Sequence, residues 1–259
     1  MAIAPADQGV HGISTPIVTA SQLVTRLGAY PTVTVPLRRG RVADAGWLWE
    51  YLAEPAEYFG LTMPSLADLT AALDRFTAAV FGSGVPLVAA TVSIVDGGSC
   101  TVTGSATEIY SPRSVRIGQL DDWTAPSAAD AHWLRMAART TSLGTVDLLL
   151  RRLADQGCVD GMAPGPALTP TLAGALVIET AGGLVGLDNP EPVSILGRLQ
   201  ACGPLEPIEL AAAVPAADVL RAWWISPQYR THPVAQLGDH PMDTPSPSDS
   251  THPPFLEQQ

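Results

Sequence analysis

Residues 87–109 constrain the fold of this chain more than any other stretch. Leu87 to Val95 is a short apolar, β-branched run that ends on Asp96-Gly97-Gly98, residues suited to a tight reversal, and Cys100 to Ile109 follows as its hairpin partner. The sequence ahead of this hairpin supplies further elements. Thr32 to Leu37 alternates, with Val33, Val35 and Leu37 on one face, and Arg39-Gly40-Arg41 makes a turn into a second short strand. Trp47, Leu48, Tyr51, Leu52, Ala56 and Phe59 recur at three- and four-residue spacing before Gly60, as in an amphipathic helix with a glycine stop. Ser65 is placed to cap a second helix, Leu66 to Phe81, with an apolar stripe through Leu69, Ala72, Leu73, Phe76 and Val80.

Beyond the hairpin, Arg113 to Pro126 reads as extended and polar, a link between lobes. A helix from about Val146 to Asp155 stops at Gly157, and Ala175 to Glu179 is a buried strand closed by Gly182-Gly183. Ala222 to Ser226 is another strand, which puts Trp223 and Trp224 on opposite faces, so at most one of them faces a cleft while the other packs outward against a helix. From Asp239 onward the residues are mainly Pro, Ser, Thr and His, with little to bury, and the expectation is a disordered tail. A chain of 259 residues that is 46% hydrophobic can bury one large core or two modest ones, and two compact lobes are expected. The expected architecture is α/β and two-lobed: a small N-terminal α/β lobe over 1–118, a larger β-rich lobe over 119–238 and the tail over 239–259.

Charge and composition narrow the chemistry. A formal net charge of −11 argues against nucleic acid or an anionic membrane as partner, because both need clustered basic residues. No apolar run reaches the roughly 18 residues of a membrane span, and Met1 to Val10 lacks the pattern of a signal peptide, so the expected location is cytoplasmic. Cys100, Cys158 and Cys202 have no CxxC spacing and read as buried free thiols rather than a disulfide framework or metal ligands. There is no Gly-x-Ser-x-Gly elbow, phosphate loop or His-Glu-x-x-His helix. All 14 residues in the combined lysine and arginine count are arginine. A chain without lysine has no side-chain amine to form an imine with a carbonyl, since a guanidinium stays protonated.

In this order the segments resemble the class IV pyridoxal-phosphate family, the branched-chain and D-amino-acid aminotransferases and aminodeoxychorismate lyases. The likeness rests on Gly28-Ala29-Tyr30-Pro31-Thr32 with Arg39-Gly40-Arg41, on Trp47-Leu48-Trp49-Glu50-Tyr51-Leu52 with Ala56 and Phe59-Gly60-Leu61, and on the distal segments. Those are Pro207-Ile208-Glu209-Leu210, Ala217-Asp218, Trp224-Ile225-Ser226 and His232-Pro233-Val234. The family's Lys-Ser/Thr-Thr-Asn stretch falls on Arg139-Thr140-Thr141-Ser142, at the family's distance before Gly157, so an arginine stands at the imine position. The phosphate-binding arginine of the first helix falls on Tyr51, and the glutamate near the pyridine nitrogen falls near Thr169 to Thr171, where there is no acid. The glycine-isoleucine-threonine phosphate loop is shortened to Ile195-Leu196-Gly197-Arg198, and only Ser226 remains of the last hydroxyl cluster. The resemblance thus implies the fold and a homodimer, with no cofactor of its own.

On that resemblance Arg139 stands at the floor of the cofactor cleft, where it could bind a carboxylate or steady an oxyanion; its ordinary reading is a structural ion pair. His132 is the candidate general acid or base, and Tyr51 the third catalytic candidate. Tyr30, Thr141, Arg198, Trp224 and Ser226 are the candidate ligand contacts, each with ordinary packing as its alternative. Three functions follow in order. The first is a repurposed, cofactor-independent enzyme acting on a small acid or carbonyl compound by proton transfer, cyclisation or lysis. The second is a non-catalytic homologue that binds a ligand or a partner subunit. The third is a conventional transaminase or lyase.

Overall fold

The computed structural model describes residues 30–38, 44–81, 87–95, 97–121, 132–141, 144–189, 194–202, 205–242 and 253–256. The chain forms two compact units, one of residues up to Thr107 with His132–Leu143, the other of Glu108–Ala131 with the residues from Gly144 onward. The first segment of the first unit ends at Thr107, and a segment later in the sequence returns to that unit.

In the first unit, β1 (Thr32–Arg38) buries Val33, Val35 and Leu37, as its alternation requires. It pairs antiparallel with β2 (Leu87–Val95), Thr32 opposite Ser93 and Arg38 opposite Leu87. The hairpin partner of β2 is β3 (Ser99–Ala106), which ends earlier than expected, and the sheet order is β1-β2-β3. Arg39-Gly40-Arg41 and the short strand expected after it lie outside the described residues. Helix α1 (Ala45–Tyr58) starts at Asp44, whose Oδ1 accepts from the N–H groups of Gly46 (2.9 Å) and Trp47 (3.1 Å). It buries Leu48, Tyr51, Leu52 and Ala56 and gives way to Gly60 at φ +68°. Helix α2 (Leu66–Phe81) is capped by Ser65, whose Oγ accepts from the Asp68 N–H at 3.1 Å and donates to the Asp68 carboxylate at 2.6 Å. Its stripe of Leu69, Leu73, Phe76 and Val80 is buried. The helix lies so close to β3 that a Cβ on Gly104 would sit 2.6 Å from Phe76 Cζ. Only glycine fits there.

The second unit is built on a mixed sheet of order β5-β4-β12-β11-β7-β8-β9, comprising Asp160–Met162, Val115–Gln119, Thr231–Leu237, Arg221–Ile225, Ala175–Thr180, Gly183–Leu187 and Glu209–Leu210, with β13 (His240–Pro241) added to β12. A separate pair joins β6 (Ala167–Leu168) to β10 (Val214–Pro215). Strand β4 corrects the expected link over Arg113 to Pro126. It runs parallel to both neighbours with Val115 and Ile117 buried, while residues 122–126 of that stretch lie outside the described residues. Its polar letters were misleading because Arg116 is satisfied across the ladder, Nε donating to Gln236 Oε1 at 2.8 Å. Helix α4 (Gly144–Asp155) follows α3 (His132–Ala137) of the first unit and ends before Gly157 at φ +75°. Helix α5 (Ile195–Cys202) follows β8. Among the described residues, Cys158 is a buried free thiol and Cys100 a half-buried one, and no helix is long and apolar enough to cross a membrane.

Described parts of 239–259 carry structure: His240–Pro241 pairs with β12, and Phe255 is fully buried. Residues 243–252 and 257–259 lie outside the description. The polar average of the segment hides two large apolar residues, Phe255 and Leu256, and these are the ones that pack.

Candidate functional site

Arg139 belongs to the first unit and is held there by its backbone before its side chain is considered. Its N–H donates to the Met136 carbonyl (3.1 Å) at the end of α3, and its own carbonyl accepts from the Thr32 N–H (2.9 Å). A Pro31–Thr140 bridge and a bond from the Thr141 N–H to the Tyr30 carbonyl (2.9 Å) extend this pairing along the start of β1. The side chain is 7% exposed. One Nη donates to the Glu54 carboxylate, the other to the Tyr51 carbonyl, and the guanidinium carbon lies 4.2 Å from the centre of the Tyr51 ring.

The bond to Tyr51 has a cause in the sequence. In an α-helix the carbonyl of residue 51 accepts from the N–H of residue 55, and residue 55 is a proline inside α1. Pro55 has no N–H to give. Arg139 donates to the carbonyl that Pro55 leaves without its helical partner. Its Nε is buried without a partner among the described residues.

Tyr30, buried, and Thr141, exposed, meet through the same backbone pairing; Thr141 Oγ1 also accepts from the Tyr30 N–H at 3.4 Å. The structure thus brings Arg139, Tyr51, Tyr30 and Thr141 into one neighbourhood. His132 is exposed at the first position of α3, edge-on to Tyr58 (centroids 5.1 Å) with Nδ1 3.3 Å from Arg135 Nη2. It faces Tyr58 and Arg135 on the surface of the unit.

In the second unit, Ser194 caps α5: its Oγ accepts from the Gly197 N–H at 2.8 Å. The next free donor of the helix, the Leu196 N–H, goes to Asp188 Oδ2 at 2.6 Å, and Ser194 Oγ donates to the same oxygen at 2.8 Å. Asp188 Oδ1 accepts from the Asn189 N–H at 2.7 Å. Burial pushes the Asp188 carboxyl up to about 6, against the opposing pull of these donors and of the Arg198 charge. The N-terminus of α5, with its donors and positive dipole end, is therefore filled by an acid of the same chain. Arg198 is half-buried on this helix, and the anion in its field is Asp188.

Trp224 lies in β11, which ends at Ile225, one residue short of the expected Ser226. Ser226 Oγ accepts from the Arg230 N–H at 3.1 Å and its backbone closes the turn to β12, in which Tyr229 adopts φ +64°. Trp224 faces the core and donates from Nε1 to Asp160 Oδ2 at 2.9 Å. Trp223, on the other face, meets Phe255 edge-on at 5.3 Å, where a helix was expected.

Sequence reasoning missed Asp160, which is fully buried and accepts on every side. Its Oδ1 takes the N–H groups of Gly161 (2.8 Å) and Ala173 (3.1 Å), and its Oδ2 those of Gly174 (2.7 Å) and the Trp224 indole. Burial raises its carboxyl above the ordinary range, opposed first by the Gly161 and Gly174 donors. Asp160-Gly161 has the look of a turn dipeptide, which conceals a core acid. Asp188 carried a fainter signal, an acid shortly before a serine-capped helix. No three His, Cys, Asp or Glu among the described residues are grouped to hold a metal ion.

No family profile and no curated protein matches the sequence. Solved structures do match in shape. A hypothetical aminotransferase from Mycobacterium tuberculosis, in its apo form, superposes with a TM-score of 0.62 at 20% identity, over 91% of this chain and 90% of that one. A fold IV-transaminase from Curtobacterium pusillum gives 0.60 at 16% identity over 88% and 86%. A putative 4-amino-4-deoxychorismate lyase from Legionella pneumophila gives 0.56 at 13% over 90% and 92%. The fold is that of the class IV aminotransferases and aminodeoxychorismate lyases. At these identities the likeness concerns the fold alone.

The residues that the resemblance assigns to pyridoxal phosphate are engaged within their own units. The Arg139 guanidinium, which the resemblance puts at the imine position, is buried against Glu54 and Tyr51, and the helix end that the resemblance assigns to the phosphate already holds the Asp188 carboxylate. A phosphate dianion there would meet a carboxyl competing for the same N–H groups.

Proposed function

We propose that this protein uses the class IV scaffold without pyridoxal phosphate, as a non-transaminating homologue that binds a ligand or pairs with a partner subunit. One observation carries the reading: each of the two polar positions that the resemblance assigns to the cofactor is satisfied from within the chain, Arg139 by Glu54 and the Tyr51 carbonyl, the α5 donors by Asp188 and Ser194. Groups engaged in this way are not poised to receive a cofactor. Pairing of two copies, implied by the same resemblance, belongs to the proposal, and sedimentation at two concentrations reads it.

A second reading is a cofactor-independent enzyme acting on a small acid or carbonyl compound. It is favoured by the unpartnered Nε of Arg139 and by an Asp188 carboxyl held near neutrality, where a group can both give and take a proton. A conventional transaminase is the third reading, and the absence of lysine weighs against it.

Equilibrium dialysis with pyridoxal phosphate tests the main reading, with no saturable uptake as the expected result. Saturable uptake accompanied by the visible absorbance of a bound cofactor would overturn it. A thermal-shift screen of small carboxylates and keto acids, repeated on His132→Ala and Tyr51→Phe, separates the other two. Turnover of any such compound that either substitution abolishes establishes the enzyme.

A further inference from the structure

Residues 253–256 are joined to the rest of the second unit by Asp243 to His252, a stretch of Asp, Thr, Pro, Ser and His with no apolar side chain. A stretch of that composition has nothing to bury and no reason to belong to a core. Of the four residues that follow, Pro253, Phe255 and Leu256 are buried and Pro254 is exposed. Phe255 is fully buried and Leu256 is 4% exposed, with Pro253 buried beside them. The Phe255 ring stands edge-on to Trp223, at 78° between planes and 5.3 Å between centroids.

Backbone contacts fix the register. The Glu206 N–H donates to the Phe255 carbonyl at 3.1 Å, and Leu205 and Leu256 form an antiparallel bridge outside the main sheet. The Leu256 N–H closes on the Pro253 carbonyl at 3.1 Å, so the segment makes its own turn. A short stretch led by prolines, with one aromatic and one aliphatic anchor and strand-like pairing to the host, is how linear motifs bind folded domains.

We propose that Trp223 and the Leu205–Glu206 edge form a peptide-docking site of the second unit, and that its resident ligand is this chain's own Pro253-Pro254-Phe255-Leu256, ten residues of polar sequence after Met242. The site is latched in cis. The proposal is independent of the cofactor question, because it involves neither Arg139 nor the N-terminus of α5.

A fluorescent peptide spanning residues 249–259 tests it on the full chain. The variant Phe255→Ala/Leu256→Ala keeps the receiving surface but vacates it, so it binds the peptide saturably. Wild type binds about tenfold more weakly or worse, because a short tether holds the competing segment at an effective concentration on the order of millimolar. The same peptide carrying Phe255→Ala binds neither protein. The proposal is overturned by a folded variant that fails to bind, by equal binding to variant and wild type, or by a variant that cannot fold, which would make the segment an integral part of the core.

Discussion

Replacing Arg139 with lysine separates a structural arginine from a vacated catalytic position, and its cost follows from the contacts. Lysine can keep the ion pair with Glu54, but a single ammonium cannot also reach the Tyr51 carbonyl and lie flat over the Tyr51 ring as the guanidinium does. A buried carbonyl left unmet costs about 1–3 kcal/mol, and the lost ring contact adds about 0.5–1 kcal/mol. Arg139→Lys is therefore expected to lose about 1.5–4 kcal/mol in urea denaturation. The cause is isolated by Pro55→Ala, which restores an N–H at the position that normally serves the residue 51 carbonyl. In that background the lysine substitution should cost about 1–2 kcal/mol less, a coupling that a double-mutant cycle of four proteins measures directly. The new lysine is also the only one in the chain, so borohydride trapping with pyridoxal phosphate followed by peptide mass analysis gives an unambiguous readout. No adduct at residue 139 is expected. Additivity within about 0.5 kcal/mol would refute the role given to Pro55, and a saturable adduct on lysine 139 would refute the cofactor-free reading.

Asp188→Asn tests the acid at the end of α5. Its folded-state value of about 6 lies above the ordinary 3.8, so the folded protein holds this proton more tightly than the unfolded chain. The resulting stability is complete below the ordinary value and is lost as pH rises through about 6. The shift corresponds to about 3 kcal/mol between acid and neutral conditions, and denaturation of the variant across that window should lack this contribution; an unchanged pH slope would remove Asp188 as its source. Asp160→Asn should cost about 2–5 kcal/mol, because whichever way the amide is turned its NH2 meets N–H donors already aimed at that oxygen. A loss below about 1 kcal/mol would show that those donors find other partners.

What the sequence reveals is what short-range physics controls. The α2 helix is legible to its ends because Ser65 caps it from within one turn and its stripe has a helical period. Strands β1 and β2 are legible because alternation and apolar runs are local, although nothing local says that they pair with each other across two helices. Strand β4 is illegible for the opposite reason. As a parallel strand it takes both neighbours from residues far along the chain, and the glutamine that satisfies Arg116 is 120 positions away. Asp160 likewise depends on a distant partner, the Trp224 indole 64 positions away, whereas the donors to Asp188 all lie within eight residues of it.

Arg139 lies between these cases, and it bears most directly on what the protein does. A proline in the last turns of an otherwise good helix removes the N–H that serves the carbonyl four residues earlier, so the change at Tyr51 is written in the sequence although the Arg139 donor is not. The donor must reach a buried oxygen, keep its charge there, and balance that charge against a carboxylate on the same helix. Glu54 lies three residues after Tyr51 and supplies that balance with its side chain still half in water. Lysine meets these demands poorly, since an amine held out of water tends to shed its proton and its three donors have no fixed plane. A guanidinium meets them at once. The loss of proton that would make residue 139 useful for imine chemistry is the same property that would weaken its hold on α1, so Pro55, Glu54 and Arg139 act as one structural unit in which the arginine answers a backbone defect. On that physics, substituting lysine alone would exchange a satisfied helix for a reactive amine.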